Sequence, residues 1–274
     1  MKVTLIQMNS ISDKPANIAA ATALIDRAVA EERPDWVALP ECFDFLGGVR
    51  ADKLAAAEVL GDGPAYRAMQ ALAAKHKIFI HAGSMLERAD GEERIHNTTV
   101  AFDRTGAEIA RYRKIHMFDI TTPDGVSYRE SASFKPGDAV VTYDCEGITV
   151  GCAICYDLRF PALFQALAAK GASVIVLPSA FTLQTGKDHW EVLCRARAIE
   201  TQTYFLAPGQ TGAHTIGNET RQTYGHSLVV DPWGHVIARA SDGPGLASAR
   251  IDPARVAKVR QQMPVASHKV PLPA

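Results

Sequence analysis

Two cysteines stand three residues apart in GCAICYDLRFP (151–161), where an apolar, strand-like run gives way to polar residues. Three chemistries use such a spacing. A redox dithiol needs both sulfurs side by side, usually at a helix N-terminus where the dipole lowers the thiol pKa. Cys152 instead lies inside the apolar run ITVGCAI. If that strand persists to Cys155, the odd offset sends the two side chains to opposite faces. A zinc site needs a second tight pair of ligands, but the nine histidines are scattered, with no HExxH and no second CxxC. The third chemistry is a single nucleophile. Cys155 falls at a strand end just before a helix, where the following N–H groups can stabilise a thiolate and later an oxyanion. A buried structural thiol is the competing reading of the same residue.

A working thiol needs a base, and a positive group near the developing oxyanion. Glu41 follows VALP, so a carboxylate emerges where a buried strand ends; Lys114, in RYRKIHMFD, closes the second strand of a hairpin. Taken alone, each is also what a solvated loop would carry. Taken together, they place an acid, an amine and a thiol at strand ends, the edge at which open α/β sheets bind ligands.

The elements that must position them are legible in the pattern. VTLIQM, DWVALPE and IFIHAGSML read as strands, with helices at residues 17–31 and at PAYRAMQALAAKHK between them. TTVAFD and EIARYRK, joined by RTGA, read as a hairpin, and residues 118–138 as irregular. AVVTYD, ITVGCAI and SVIVLP are strands, with helices at PALFQALAAKG and DHWEVLCRARAIETQ; the C-terminal third is mostly strand, ending in a short helix at PARVAKVRQQM. WVALPECF and VIVLPSAF both close an apolar strand with Leu-Pro, as two similar halves delivering loops to one sheet edge would. No linker divides the pattern, so a single domain over residues 1–274 is expected, with a short tail from about 264, as a layered α/β fold with two sheets.

Three segments carry a family resemblance. LPECFDF, YRKIHMFD and GCAICYDLRFP resemble the signature segments of the nitrilase (carbon–nitrogen hydrolase) superfamily, in the family's order. PSAFTLQTGKDHWEVLCRARAIETQ and YGHSLVVDPWG are most similar to the Nit branch, which contains deaminated-glutathione amidase and ω-amidase. The resemblance implies a four-layer αββα sandwich that pairs with a second copy as a homodimer or higher homo-oligomer. It also implies that Glu41 (general base and acid), Lys114 (oxyanion stabiliser) and Cys155 (nucleophile) meet in one pocket, leaving Cys152 to packing. Glu130 matches a supporting acid near the lysine, and the backbone N–H of Tyr156 would share the oxyanion. Arg159 is expected to pair with Asp157 or another acid, with a substrate carboxylate as the alternative. His189 and Trp190 are expected to begin a helix and to pack against or line the pocket. Lys187 and Asp188 depart from the Pro-Ala more common in related amidases.

The implied reaction is hydrolysis of a small ω-amide carboxylic acid, of the deaminated-glutathione or 2-oxo ω-amide type, to acid and ammonia through a Cys thioester. Nitrilase and N-carbamoyl hydrolase chemistry use the same three groups, and a catalytically silent interaction scaffold is the alternative outside enzymes. No cofactor or metal is expected. Lys plus Arg total 29 against 30 Asp plus Glu, so no strong field draws the chain to nucleic acid or anionic lipid. The strongest late apolar stretch, ASVIVLP, is too short to span a bilayer. MKVTLIQMNS reads as a strand rather than a leader, and five cysteines in so long a chain suggest a reducing, cytoplasmic compartment.

Overall fold

Short parallel strands buried on both faces need helices to cover them, and the chain alternates the two in each half. The computed structural model describes residues 1–89, 91–122 and 125–270. The first half runs β1 (Lys2–Gln7), α1 (Lys14–Glu32), β2 (Trp36–Ala38), α2 (Arg50–Ala56), α3 (Pro64–His76) and β3 (Phe79–His81). β4 (Met85–Glu87), β5 (His96–Phe102) and β6 (Glu108–Arg113) follow. A small hairpin, β7 (Asp119–Thr121) and β8 (Ser127–Arg129), lies in the stretch expected to be irregular; the intervening 123 and 124 are outside the described residues.

The second half contains β9 (Thr142–Cys145), β10 (Ile148–Cys152), α4 (Pro161–Ala169), β11 (Val174–Val176), α5 (Leu183–Thr201) and β12 (Tyr204–Ala207). A polar hairpin, β13 (Thr211–Ile216) and β14 (Glu219–Tyr224), precedes β15 (Leu228–Val230), β16 (Val236–Arg239), β17 (Gly245–Arg250) and α6 (Pro253–Gln262). The expected tail is a short 3-10 turn, Val265–His268; residues 271–274 lie outside the described residues.

Two large sheets result. In the first, β17, β1, β2 and β3 are adjacent, and β5 joins β3, β4 and β6; in the second the order is β16-β15-β12-β11-β10-β9. β1-β2-β3 and β10-β11-β12 are both parallel ladders, with β2 and β11 at their centres. The strand periodicity sorts the core into layers. Ile6 and Val37 face α1 and α3 (Ile25, Ala28, Met69, Leu72), while Val3, Leu5, Trp36 and Ala38 join the cluster that holds the second sheet, α4 and α5. The order helix, sheet, sheet, helix is the expected αββα sandwich. Across the middle, the rings of Trp36 and Tyr143 meet edge-on at 6.5 Å, and His81 Nδ1 lies 3.1 Å from the Tyr143 hydroxyl.

Helix starts are set locally. Asp13 accepts from Ala16 N at 3.0 Å to cap α1, Thr182 accepts from Thr185 N at 3.3 Å to cap α5, and α4 opens on Pro161. α5 therefore begins at Leu183, six residues before His189, because its cap is Thr182. IFIHAGSML divides into β3 and β4, because the left-handed backbone of Gly83 (φ 50°) turns the chain between them. No helix among the described residues is long and apolar enough to cross a membrane.

Candidate active site

Glu41 sits on a loop pinned by the turn it touches. β2 ends at Ala38, and Leu39 N donates to His81 O at 3.0 Å, Ser84 N to Pro40 O at 3.2 Å and Cys42 N to the Ser84 hydroxyl at 2.9 Å. Gln210 Nε2, from beyond the second sheet, donates to the Glu41 carbonyl at 2.9 Å. A Cβ on Gly83 would lie 2.0 Å from Pro40 O, so the close approach of these two turns demands glycine.

Cys155 opens a 3-10 turn, Cys155–Arg159, just past β10, with φ at 45°. A left-handed cysteine costs about 1–3 kcal/mol, and the surroundings must impose it. Cys155 N donates to Pro178 O at 2.9 Å. The buried Asp157 carboxylate accepts from Ile154 N at 2.9 Å and from the Tyr112 hydroxyl at 2.6 Å, and Arg197 Nε donates to Leu158 O at 2.9 Å. Cys152 is fully buried in the core behind this turn, and all five cysteines are free.

Lys114 is the first residue after β6, held by Lys114 N to Asn97 O at 2.9 Å. Its ammonium donates to both Glu130 oxygens at 2.8 Å and to Glu41 Oε1 at 3.1 Å. Asn97 Nδ2 donates to the same Glu41 oxygen at 2.8 Å, and Phe118 N to Glu130 Oε2 at 2.6 Å. The carboxylates are thus oriented by fixed donors, and the side chains of Glu41, Lys114, Glu130 and Cys155 border one cavity of about 270 Å³.

The electrostatics follow from that burial. Desolvation alone would lower the Lys114 pKa, but Glu130, then Glu41 and Cys155, more than offset it and hold the ammonium well above the ordinary lysine range. The Cys155 thiol is pushed well above its ordinary value, first by burial and then by the Glu41 charge; Lys114 and the Ala180 N–H pull only partly the other way. The Glu41 carboxylate lies close enough to the sulfur to favour its protonated form. A protonated thiol with a carboxylate against it and a fixed cation beside both can transfer its proton as the sulfur attacks.

The remaining expected residues divide. Tyr156 and Arg159 line the cavity; Tyr156 packs edge-on against Phe118 and Phe160, with ring centroids 5.0 and 5.3 Å away. Arg159 does not pair with Asp157, whose oxygens are taken by Tyr112, Ile154 and His116. Its guanidinium lies 5.6 Å from the Phe181 ring centre and 3.3 Å from His189 Nδ1, with no acidic partner among the described residues. His189 and Trp190 are not on the cavity wall. His189 is exposed, and Trp190 is buried behind Phe181 (centroids 4.9 Å), donating to His226 O at 2.9 Å. They lie in the second turn of α5, so its Thr182 cap, rather than their side chains, reaches the cavity. Lys187 borders a second, outer depression, and Asp188 is exposed.

Some residues at the site escaped the sequence reading. Asn97 is one; its signal is an amide side chain within a strand buried at every position. Lys53, His214 and Arg221 also line the cavity, from α2 and from the β13–β14 hairpin. Gly217-Asn218 between two alternating polar runs marks that hairpin.

Residues 2–261 match the carbon–nitrogen hydrolase family. The chain is 42% identical over 269 residues to the deaminated glutathione amidase of Synechocystis sp., covering 97% of this chain and 96% of that one. The crystal structure of the Caenorhabditis elegans NitFhit protein superposes with a TM-score of 0.90 at 39% identity; the match covers 98% of this chain and 64% of that longer one. Saccharomyces cerevisiae Nit3, a member of branch 10 of the nitrilase superfamily, gives 0.87 at 33% identity over 98% of this chain and 96% of the other. With the match running almost end to end, the chain belongs to the carbon–nitrogen hydrolase family and is a hydrolase of non-peptide C–N bonds.

Proposed function

We propose that this enzyme is a thiol-dependent amidase acting on small ω-amide carboxylic acids of the deaminated-glutathione or 2-oxo ω-amide type. The observation that carries the reading is the single Glu41 oxygen that accepts from both Lys114 and Asn97 on the wall of the cavity that Cys155 also lines. Glu41 accepts the thiol proton as sulfur attacks the amide carbon, and the carbonyl oxygen becomes an oxyanion beside the Lys114 ammonium and the Tyr156 N–H. Glu41 then delivers that proton to nitrogen, which leaves as ammonia from a primary amide or as an amine from an N-substituted one. A water deprotonated by Glu41 attacks the thioester, and collapse of the second tetrahedral species returns the proton to sulfur. Glu130 acts as a positioning residue that holds the lysine. Arg159, without an acidic partner among the described residues, is suited to the substrate carboxylate.

A second copy covers the outer face of α5, which bears the exposed Val192 (67%) and Ile199 (50%), the latter against Gly234 beside the exposed Trp233. Five free thiols suit a reducing, cytoplasmic setting. The test of the activity is product release from a panel of ω-amides, nitriles and N-carbamoyl amino acids. Turnover confined to amides is expected. Turnover of nitriles or carbamoyl compounds in preference would replace this reading, and turnover of nothing would leave a scaffold.

A further inference from the structure

Lys114 and the nucleophile turn belong to different sheets: Lys114 follows β6 of the first, and Cys155 follows β10 of the second. An oxyanion formed on the carbon that sulfur attacks must fall within hydrogen-bond reach of the ammonium, so the two segments need a fixed separation. The Glu41 loop has such a tie to the second half in Gln210, which donates to the Glu41 carbonyl at 2.9 Å. For Lys114 the tie is Asp157.

Asp157 is fully buried and stands two residues after Cys155. Its Oδ2 accepts from Ile154 N, just ahead of the nucleophile, at 2.9 Å and from the Tyr112 hydroxyl at 2.6 Å. Its Oδ1 accepts from His116 N at 3.1 Å and from His116 Nδ1 at 2.7 Å. Tyr112 and His116 lie two residues to either side of Lys114, so one carboxylate grips the chain on both sides of the lysine. Ile154 N alone would close the turn; the other three donors all come from the lysine's segment. These donors are themselves held. Tyr112 is fully buried, and burial, then the Asp157 charge, push its hydroxyl well above the ordinary range, so it stays a donor. The His116 ring lies flat on Phe160, with centroids 3.7 Å apart and planes 5° apart, and Phe160 N donates to Asp157 O at 2.9 Å.

We infer that Asp157, through Tyr112 and His116, is a positioning residue that sets the Lys114 ammonium at oxyanion distance from the carbon bonded to Cys155. The inference rests on the amidase reading above and names what fixes the spacing its oxyanion step requires.

The experiment leaves Asp157 intact, since its loss would strand several buried donors. Tyr112→Phe removes one donor and keeps the ring; His116→Phe removes the ring N–H and keeps the stacking on Phe160. Both are expected to lower kcat on an ω-amide acid by about tenfold to a hundredfold, with KM changed less. His116→Asn, which returns a side-chain N–H, should recover part of the loss. Alkylation of Cys155 by iodoacetamide forms no oxyanion and should keep its wild-type rate. In a Lys114→Ala background the two Phe substitutions should cost little more, because no ammonium is left to place. The same fold loss with and without Lys114, or equal losses of hydrolysis and alkylation, overturns the clasp. His116 is partly exposed, and its variants alone decide the matter should Tyr112→Phe fail to fold.

An ω-aldehyde acid gives a reading without turnover: sulfur bonds to the aldehyde carbon, the thiol proton passes to Glu41, and the oxyanion faces Lys114. Both Phe variants should bind it about tenfold more weakly, and unchanged binding overturns the clasp. Absence of wild-type amide hydrolysis, with aldehyde binding that follows this pattern, would refute the amidase reading alone.

Discussion

Cys155 is a thiol that its surroundings keep protonated, so its reactivity depends on where its proton can go. Glu41 has two opposed effects in the proposed mechanism: as an anion it raises the thiol pKa, and as the proposed base it accepts the proton in the transition state. Glu41→Gln should therefore separate the two. Amide hydrolysis is expected to fall by about 100- to 10,000-fold, while alkylation of Cys155 by iodoacetamide should begin at a lower pH than in the wild type. Loss of both reactivities together would contradict the assigned role. Lys114→Ala removes the proposed oxyanion donor and should lower kcat by about 100- to 1,000-fold, with KM changed less. Activity within a few-fold of wild type would remove lysine from the mechanism. Their places at strand ends made these three residues candidates, and their meeting in one pocket was what the resemblance of their segments to the family implied. Asn97 was not legible, because an amide inside a strand announces burial and not which carboxylate it will orient.

At the scale of elements, the two halves deliver their loops in the same way. Leu39-Pro40 after β2 leads to Glu41, and Leu177-Pro178 after β11 leads to Ala180 and Phe181 on the cavity wall. The Leu-Pro echo in the sequence is thus a pair of turns that each follow the central strand of a parallel ladder. Gly83 is where this geometry is least tolerant: Gly83→Ala would set a Cβ against Pro40 O and impose a left-handed backbone on alanine. The expected result is a lower thermal midpoint, from a strain of about 1–3 kcal/mol, and at least a tenfold loss of hydrolysis as the Glu41 loop moves. A variant with wild-type activity would show that the loop does not depend on this turn. The core strands and amphipathic helices were readable because burial writes its period into them. The β13–β14 hairpin and α2 were not read, since their exposed, polar residues are chosen by the cavity they roof and not by a core.

For the whole molecule, the contact between the sheets carries a titratable group. His81 is fully buried beside Tyr143, and desolvation lowers its pKa to about 3. The unfolded chain binds a proton near 6.5 that the folded chain refuses, so this contribution is intact above pH 6.5 and is eroded as pH falls towards 3. The slope is about 1.4 kcal/mol per pH unit within that window. Asp44, raised to about 6 chiefly by burial, acts in the opposite sense: its contribution is full below 3.8 and is lost as pH rises through about 6. Comparing urea unfolding of wild type with His81→Gln isolates the first effect. The variant should lose less stability between pH 6.5 and 4 than the wild type, and parallel curves would exclude His81 as the cause. The same scale includes the α5 face, where light scattering should report at least a dimer, reduced towards monomer by Val192→Glu.

The central claim is that acyl transfer passes through one sulfur. Wild-type enzyme mixed with an ω-amide acid and quenched in acid within the first turnover should gain the mass of the acyl group. Peptide mapping should place that mass on Cys155, with one equivalent of amine released. An acyl group found on any other residue, or amide turnover persisting in Cys155→Ala, would contradict the account.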